Sequence, residues 1–412
     1  MLSPVKSPLP RRVILHCYAA ALAAVEGERC VREYLLAHPL VNRPITLLAT
    51  GKAAAAMARG AATVLQRRLV EGLVITREGY AGAGLPDCLA LREAGHPLPD
   101  ARSLAAGEAA MALVGNLPDD HRLLVLTSGG SSALVEALPE GIGLDDLVRL
   151  NAWLVGSGLP IQAMNRIRQS VSRIKGGGLA RQLRGQPVLN LLISDAPGDD
   201  PAVIGSGLFV PTPRGGPEIP VPDWVRELQQ RAGPGMDASS GPRVEHRIIA
   251  NNRLACEAAA IAARQAGLMA TVHARPLEGE AEAMAHWLVE ELDRLPPGIH
   301  VWGGESTVRL PPAPGRGGRN QHLALAAARR LAGREDLLLL AAATDGADGT
   351  SEDAGALVDG GTLRRGEEQG LDAADCLARA DAGRFLEASG DLVHTGPTGT
   401  NVMDLVIARK AG

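Results

Sequence analysis

Ile45-Thr46-Leu47-Leu48-Ala49-Thr50-Gly51-Lys52-Ala53-Ala54-Ala55-Ala56 is the stretch from which the rest of the chain can be read. Six apolar or β-branched residues make a buried strand, a glycine ends it, and an alanine-rich helix is expected over Ala53–Arg68. The same alternation recurs along the sequence. Gly72–Thr76, Leu123–Thr127, Val188–Ser194, Arg247–Ala250, Ile299–Trp302 and Leu337–Ala342 read as buried strands. Ala101–Val114, Leu254–Ala266, Glu280–Leu295 and Gln321–Leu331 read as helices between them. Strand and helix in alternation predict an α/β fold with a mostly parallel sheet.

A chain of 412 residues exceeds what one hydrophobic core usually supports, so two domains are expected. The Pro- and Gly-rich segments Val210–Gly216 and Arg231–Gly241 interrupt the pattern and place the boundary near residue 235, giving domains 1–235 and 236–412. Apolar residues make up 46% of the chain but aromatics only 2%, so the cores must be aliphatic. The same scarcity of rings, with a formal net charge of −4, argues against a nucleic-acid partner. Five cysteines, scattered and never in CxxC spacing, argue against a disulfide framework or zinc cluster and suit a reducing cytoplasm. Arg11 and Arg12 precede the apolar Val13–Val25, which loosely imitates a secretory leader. His16, Cys17 and Tyr18 interrupt that run, so it reads as a first helix. No run of 18 apolar residues exists, so no membrane span is expected.

The turns after the strands carry the chemistry, as expected for α/β sheets. Lys52 opposes the helix dipole in a first turn, a cost that a bound anion would reverse; a solvated surface lysine is the alternative. Ser128-Gly129-Gly130-Ser131-Ser132-Ala133 joins strand to helix through glycines and hydroxyls suited to a phosphate or carboxylate. Plain helix capping is the alternative there, but it needs one serine rather than three. Arg173-Ile174-Lys175-Gly176-Gly177-Gly178 brings a basic pair into a glycine run. Asp195, Asp199 and Asp200 cluster after a strand, where Mg²⁺ or an Asx turn would balance them. In the second half, Gly303-Gly304-Glu305 ends a strand, and Gly315–Gln321 opens a helix with Arg316 and Arg319 at its start. Thr344-Asp345-Gly346-Ala347-Asp348-Gly349 and Thr395–Asn401 follow. Loops of this kind in both halves imply a polyanionic small-molecule ligand.

In this order the motifs resemble the glycerate 2-kinase family, whose C-terminal half is the MOFRL domain. The resemblance is carried by Gly51-Lys52-Ala53, Glu93-Ala94-Gly95-His96-Pro97 and Ser128–Ala133. It continues through Met164-Asn165 with Arg168, Ile174-Lys175-Gly176-Gly177 and Ser194-Asp195 with Pro197–Asp200. Glu305, Gly317-Gly318-Arg319-Asn320-Gln321, Asp345-Gly346 and Thr395–Asn401 complete it over roughly residues 10–408. The chain departs from the family pattern at Gln169-Ser170, Leu208 and His322.

The resemblance implies a Rossmann-like α/β/α sandwich followed by a smaller MOFRL-type α/β domain, with the active site in the cleft between them. It implies ATP-dependent phosphorylation of D-glycerate to 2-phosphoglycerate in the cytoplasm, with Lys52 and Arg319 as active-site cations. Kinase chemistry needs ATP, Mg²⁺ and a small hydroxy acid. On that reading Lys52, Arg319 and Asp195 are catalytic, while Gly129, Gly130, Ser131, Ser132, Lys175 and Asn320 bind substrate or phosphate. Asp195, Glu305 and Asp345 are the metal candidates. A homo-oligomer is left open. Hydroxypyruvate reductase is the alternative enzyme, but Gly51-Lys52-Ala53 lacks the GxGxxG fingerprint of dinucleotide binding. A non-catalytic sugar-phosphate sensor is the other alternative, and it leaves Asp195, Asp199 and Asp345 without a role.

Overall fold

The computed structural model describes residues 9–212, 219–233 and 244–412. They form two compact units: Glu26–Ala250, and Asn251–Gly412 joined by residues 9–25. The expected boundary near residue 235 lies outside the described residues. Among those described, the chain passes between units at 250/251, and its first helix belongs to the second unit. The expected halves 1–235 and 236–412 therefore differ from the observed units at both ends.

In chain order the helices used below are α1 (Leu9–Val25), α2 (Gly27–Ala37), α3 (Ala54–Leu65), α4 (Ala101–Gly115), α5 (Ser131–Leu134) and α6 (Leu144–Gly156). They continue with α7 (Ile161–Ser170), α8 (Asp223–Ala232), α9 (Asn252–Gln265), α10 (Ala281–Arg294) and α11 (Arg319–Leu331).

The first unit holds strands β1 (Ile45–Thr50), β2 (Leu69–Arg77), β3 (Leu89–Ala94), β4 (Arg122–Thr127), β5 (Val188–Ile193) and β6 (Val244–Ala250). They form one sheet in the order β3-β2-β1-β4-β5-β6, and every pairing is parallel. This is the doubly wound order, and its winding reverses between β1 and β4. In β1 all six residues are buried, as are five of six in β4 and all six in β5, so their continuous apolar runs announce a sheet covered on both faces. The edge strand β3 has only its first and last residues buried, so it gives no apolar run to detect. Helices α6, α7 and α8 enclose a separate cluster of Leu150, Leu154, Ile167, Val225 and Leu228.

The second unit holds β7 (Ala270–Val272), β8 (Leu277–Glu280), β9 (Gly298–Thr307), β10 (Leu337–Ala343), β11 (Gly355–Asp359), β12 (Leu392–Val393) and β13 (Asp404–Lys410). Its order is β12-β11-β10-β13-β9-β7, with β8 also on β9. Only β7 and β8 run parallel to β9; the β9–β13, β13–β10, β10–β11 and β11–β12 pairs are antiparallel. The mostly parallel expectation thus describes the first unit and not this one. Parallel neighbours need a long crossover, usually a helix, whereas β10 and β11 are joined by the short loop 344–354.

Helix α1 joins this second unit because its apolar stripe, Ile14, Cys17, Tyr18, Ala21 and Val25, is fully buried there, packed along α9 and against β13. Its polar anchors match. The Tyr18 hydroxyl donates to the Ala343 carbonyl at 2.5 Å. Arg11 pairs with Asp359, with Asp391 at 2.8 Å, and donates to the Leu357 carbonyl at 2.6 Å. We predict that Tyr18→Phe, which strands a buried carbonyl, destabilises the protein by about 1–2 kcal/mol in denaturant unfolding. An unchanged midpoint would show that the hydroxyl holds nothing.

Candidate active site

The parallel register sets Thr50 beside both Ile75 and Thr127, and Thr127 beside Leu192, so the loops after β1, β4 and β5 leave the sheet at one edge. Two of those loops flank the reversal between β1 and β4, where doubly wound proteins form their ligand crevice. There the backbones touch. The Ser128 amide donates to the Thr50 carbonyl at 2.9 Å, and the Lys52 amide donates to the Gly129 carbonyl at 2.9 Å. Gly51 has φ +114°, and a Cβ on it would lie 2.3 Å from Ser128 Oγ and 2.4 Å from the Ser128 carbonyl oxygen. Only glycine fits between the loops.

Gly130 is the second glycine with a defined task. It has φ +86°, and a Cβ there would lie 3.2 Å from both Lys52 Cγ and His96 Cδ2. Lys52 and His96 therefore flank the bare backbone of Gly130, drawing the loop after β3 into the same place. His96 entered the sequence reading only within a motif. Its strand β3 lies at the sheet edge, and nothing local marked its side chain as facing Lys52.

The three serines turn out to be ties between loops. Ser128 Oγ accepts from the Ala53 amide at 3.1 Å, and Ser131 Oγ bonds Thr50 Oγ1 at 3.0 Å and donates to the Ser128 carbonyl at 2.7 Å. Ser132 Oγ meets Ser206 Oγ at 2.8 Å, and Ser206 donates to Asn165 Oδ1 at 3.0 Å. The helix they open, α5, is a single turn, so its dipole contributes little. What the loop offers an anion is the half-buried, side-chain-free backbone of Gly130 beside Lys52. Deeper in the sheet Thr127 Oγ1 donates to Asn190 Oδ1 at 3.0 Å, and Asn190 meets His246 at 3.3 Å. Burial pulls the His246 imidazole below its ordinary range, so it stays neutral in this network.

Lys175, expected at a phosphate, is instead buried in an ion pair. Its Nζ lies 2.5 Å from Glu136 Oε2, both side chains being 1% exposed. Glu136 also accepts from Ser172 Oγ at 2.5 Å and from the Ala137 amide at 3.0 Å. Drawing the ammonium away would strand a buried carboxylate, so Lys175 holds the fold of its glycine loop. Asp195 follows β5 at the shared edge and is half-buried. Asp200 takes up an Asx turn, accepting from the Ala202 amide at 2.9 Å.

The second unit gathers its own polar centre from the loops around β9, α11, β10 and β13. Arg319 Nε and Nη2 make a fork on Asp404, at 2.5 and 3.1 Å, and Nη2 also bonds Glu305. Burial alone would lower its pKa, but Asp404 and Glu305 together hold the guanidinium above even its usual range. Arg316 is paired with Glu387 at 2.7 Å. The two arginines at this helix start, expected to await an anion, thus meet carboxylates of the chain itself. Asn320, also expected at substrate, is buried and donates to Asp348 Oδ1 at 3.3 Å. Asp348 accepts the amides of Asn320 at 3.1 Å and Gln321 at 2.8 Å. Burial pushes the Asp348 carboxyl up to about 7, Asp404 adding to the rise while the two amides and Arg319 oppose it. Asp345 accepts from the Ala347 amide at 3.1 Å.

Among the described residues no group of three or more His, Cys, Asp or Glu side chains is arranged around a metal. One or two carboxylates are what Mg²⁺ takes when nucleotide phosphates complete its shell. Asp195, half-buried at the loop edge, fits that role. Glu305 fits it less well, because its carboxylate is bonded to Arg319.

These two units define a class: a doubly wound α/β unit followed by a mixed-sheet unit. Residues 13–218 match the family described as domain of unknown function (DUF4147), and residues 298–404 match the MOFRL family. A glycerate 2-kinase of Pyrococcus horikoshii is 35% identical, over 89% of this chain and 88% of its own. A D-glycerate 2-kinase of Thermotoga maritima is 32% identical over 96% and 97%. An Agrobacterium vitis protein with a provisional hydroxypyruvate reductase name is 36% identical over 96% and 93%. The crystal structure of glycerate kinase from Thermotoga maritima superposes with a TM-score of 0.82 at 31% identity, over 98% of this chain and 99% of that one. The chain belongs to the glycerate 2-kinase family.

Gly51→Ala is predicted to cost about 2 kcal/mol or more, since it adds positive-φ strain to a backbone clash. A fully stable, fully active Gly51→Ala protein would contradict the contact. A second expectation concerns pH. Unfolded, Asp348 titrates near 3.8; folded, near 7. The stability it contributes is present below about pH 4 and falls away as pH rises to about 7. Asp348→Asn should therefore gain stability relative to the native chain across that window in denaturant titrations. A pH-independent difference would exclude the shift.

Proposed function

We propose that this protein transfers the γ-phosphoryl group of ATP to the 2-hydroxyl of D-glycerate, giving 2-phosphoglycerate in the cytoplasm. The observation that carries the reading is Lys52 beside the bare backbone of Gly130 at the reversal of the sheet. Phosphoryl transfer is mostly positioning and charge neutralisation, and a lysine whose stem packs beside the bare backbone of Gly130 can serve both. The similar proteins named as glycerate kinases support the substrate.

In this mechanism Lys52 neutralises the transferring phosphoryl group as negative charge spreads over its oxygens. The side-chain-free backbone of Gly130 lets the substrate approach closely. Asp195 would hold Mg²⁺, which when bound offsets phosphate charge. In the second unit, Arg319 is held rigidly by Asp404, so a substrate anion reaching it would displace the more exposed Glu305 rather than Asp404, whose side chain is 2% exposed. The reductase alternative wants a glycine fingerprint after β1, and Ala53–Ala56 stand in its place. Among the described residues no helix is long and apolar enough to cross a membrane, which suits a small-molecule enzyme.

One coupled experiment tests this reading: ADP release with D-glycerate, beside NAD(P)H oxidation with hydroxypyruvate. ADP release alone is expected; oxidation alone would install the reductase. Lys52→Met should lower turnover at least ~100-fold with the fold intact by circular dichroism. Arg319→Lys should also impair turnover, because a point charge cannot replace the fork on Asp404. Near-native rates in either variant would remove that residue from the chemistry.

A further inference from the structure

Arg168 occupies the last turn of α7, and its guanidinium is held by two amide oxygens. Nε donates to Asn151 Oδ1 at 3.1 Å and Nη1 to Asn165 Oδ1 at 3.3 Å. Neither partner carries charge. Among the described residues no carboxylate pairs with Arg168. The acid whose charge acts on it is Glu136, and that carboxylate is already taken by Lys175, Ser172 Oγ and the Ala137 amide. Burial lowers the Arg168 pKa from its usual value, and the charge of Glu136 offsets this only in part. A partly buried cation oriented by dipoles and left without a counter-charge is poised for an anion from outside the chain.

Its placement says which anion. Asn165 Oδ1, which accepts from Arg168, also accepts from Ser206 Oγ at 3.0 Å, and Ser206 Oγ meets Ser132 Oγ at 2.8 Å. Arg168 is thereby fixed, through two buried residues, to the same loop that passes Lys52. The two bonds to asparagine use two of the five guanidinium hydrogens and leave both on Nη2 and one on Nη1 as donors, and a guanidinium can take a carboxylate in a fork. Lys52 offers a single point charge, better matched to a phosphoryl group. The helix dipole supplies the other account of a cation at this position, worth a few tenths to about 1 kcal/mol. It would favour a lysine equally and requires neither asparagine.

We propose that Arg168 anchors the carboxylate of the hydroxy-acid acceptor, with Asn151 and Asn165 as the residues that position its guanidinium. This rests on the kinase reading above, deepens it by naming the group that selects an acid over a neutral polyol, and leaves Lys52 to the phosphoryl group.

The test uses the full-length protein and the variants Arg168→Lys and Arg168→Gln, each checked for a native melting transition without ligand. In the kinase assay both should raise KM for D-glycerate about 10- to 100-fold while KM for ATP stays within about twofold. A second readout needs no turnover. D-glycerate alone should raise the melting temperature of the native protein, glycerol should not, and both variants should lose the glycerate shift. If Arg168→Lys keeps the native KM and the native shift, the dipole account holds and the proposal is overturned. If the variants instead lose stabilisation by inorganic phosphate and affinity for ATP, the guanidinium serves a phosphate and the carboxylate assignment is wrong. A native protein that binds glycerate through Arg168 without releasing ADP would overturn the kinase reading and leave the anchor standing.

Discussion

The contact on which the first unit depends is the one between Gly51 and Ser128. The doubly wound sheet reverses its winding between β1 and β4, so the chain leaves these neighbouring strands toward opposite faces. The two loops must then pass each other at the sheet edge. They do so backbone against backbone, tied by the Ser128–Thr50 and Lys52–Gly129 hydrogen bonds. A site results because close packing strips side chains from part of each loop. Gly51 is buried against Ser128, Gly130 leaves half-buried bare backbone, and the Lys52 side chain lies beside Gly130.

The cations sort by what already balances them. Lys175 is neutralised by Glu136 within the core, and Arg319 is locked to Asp404 with Glu305 beside it. Either would have to break a native ion pair to bind an anion, and the buried Lys175 pair would be expensive to break. Arg168 has orientation without neutralisation. A basic residue in a glycine-rich loop therefore says little until its partners are known. Lys175 and Arg168 lie seven positions apart and end in opposite circumstances.

Much of the first unit was legible because buried parallel strands are continuous apolar runs: β1 was read to its last residue, and β4 and β5 to within one. The edge strand β3 was not, since solvent on both sides permits Arg92 and Glu93 within it. The antiparallel pairing of β10 was hidden for a different reason. Strand direction depends on which strands become neighbours, and β13 inserts beside β10 from more than sixty residues away. At the site, glycines and Lys52 were visible as a pattern in one loop. The roles of Ser128, Ser131 and Ser132 as ties, the approach of His96, and the burial of Lys175 were not. Each depends on a partner in another loop, which no local spacing records. The place of α1 beside α9 was likewise invisible, since the segment Val13–Val25 shows a helix but not what it packs against.

The most direct test is a crystal structure of the protein with D-glycerate and a non-hydrolysable ATP analogue. Ligand density is expected at the reversal of the first sheet, with phosphate oxygens within hydrogen-bonding distance of Lys52 Nζ and the amides of residues 129–132. Ligands bound elsewhere, with the Gly51–Lys52 and Ser128–Ser132 loops untouched, would contradict it.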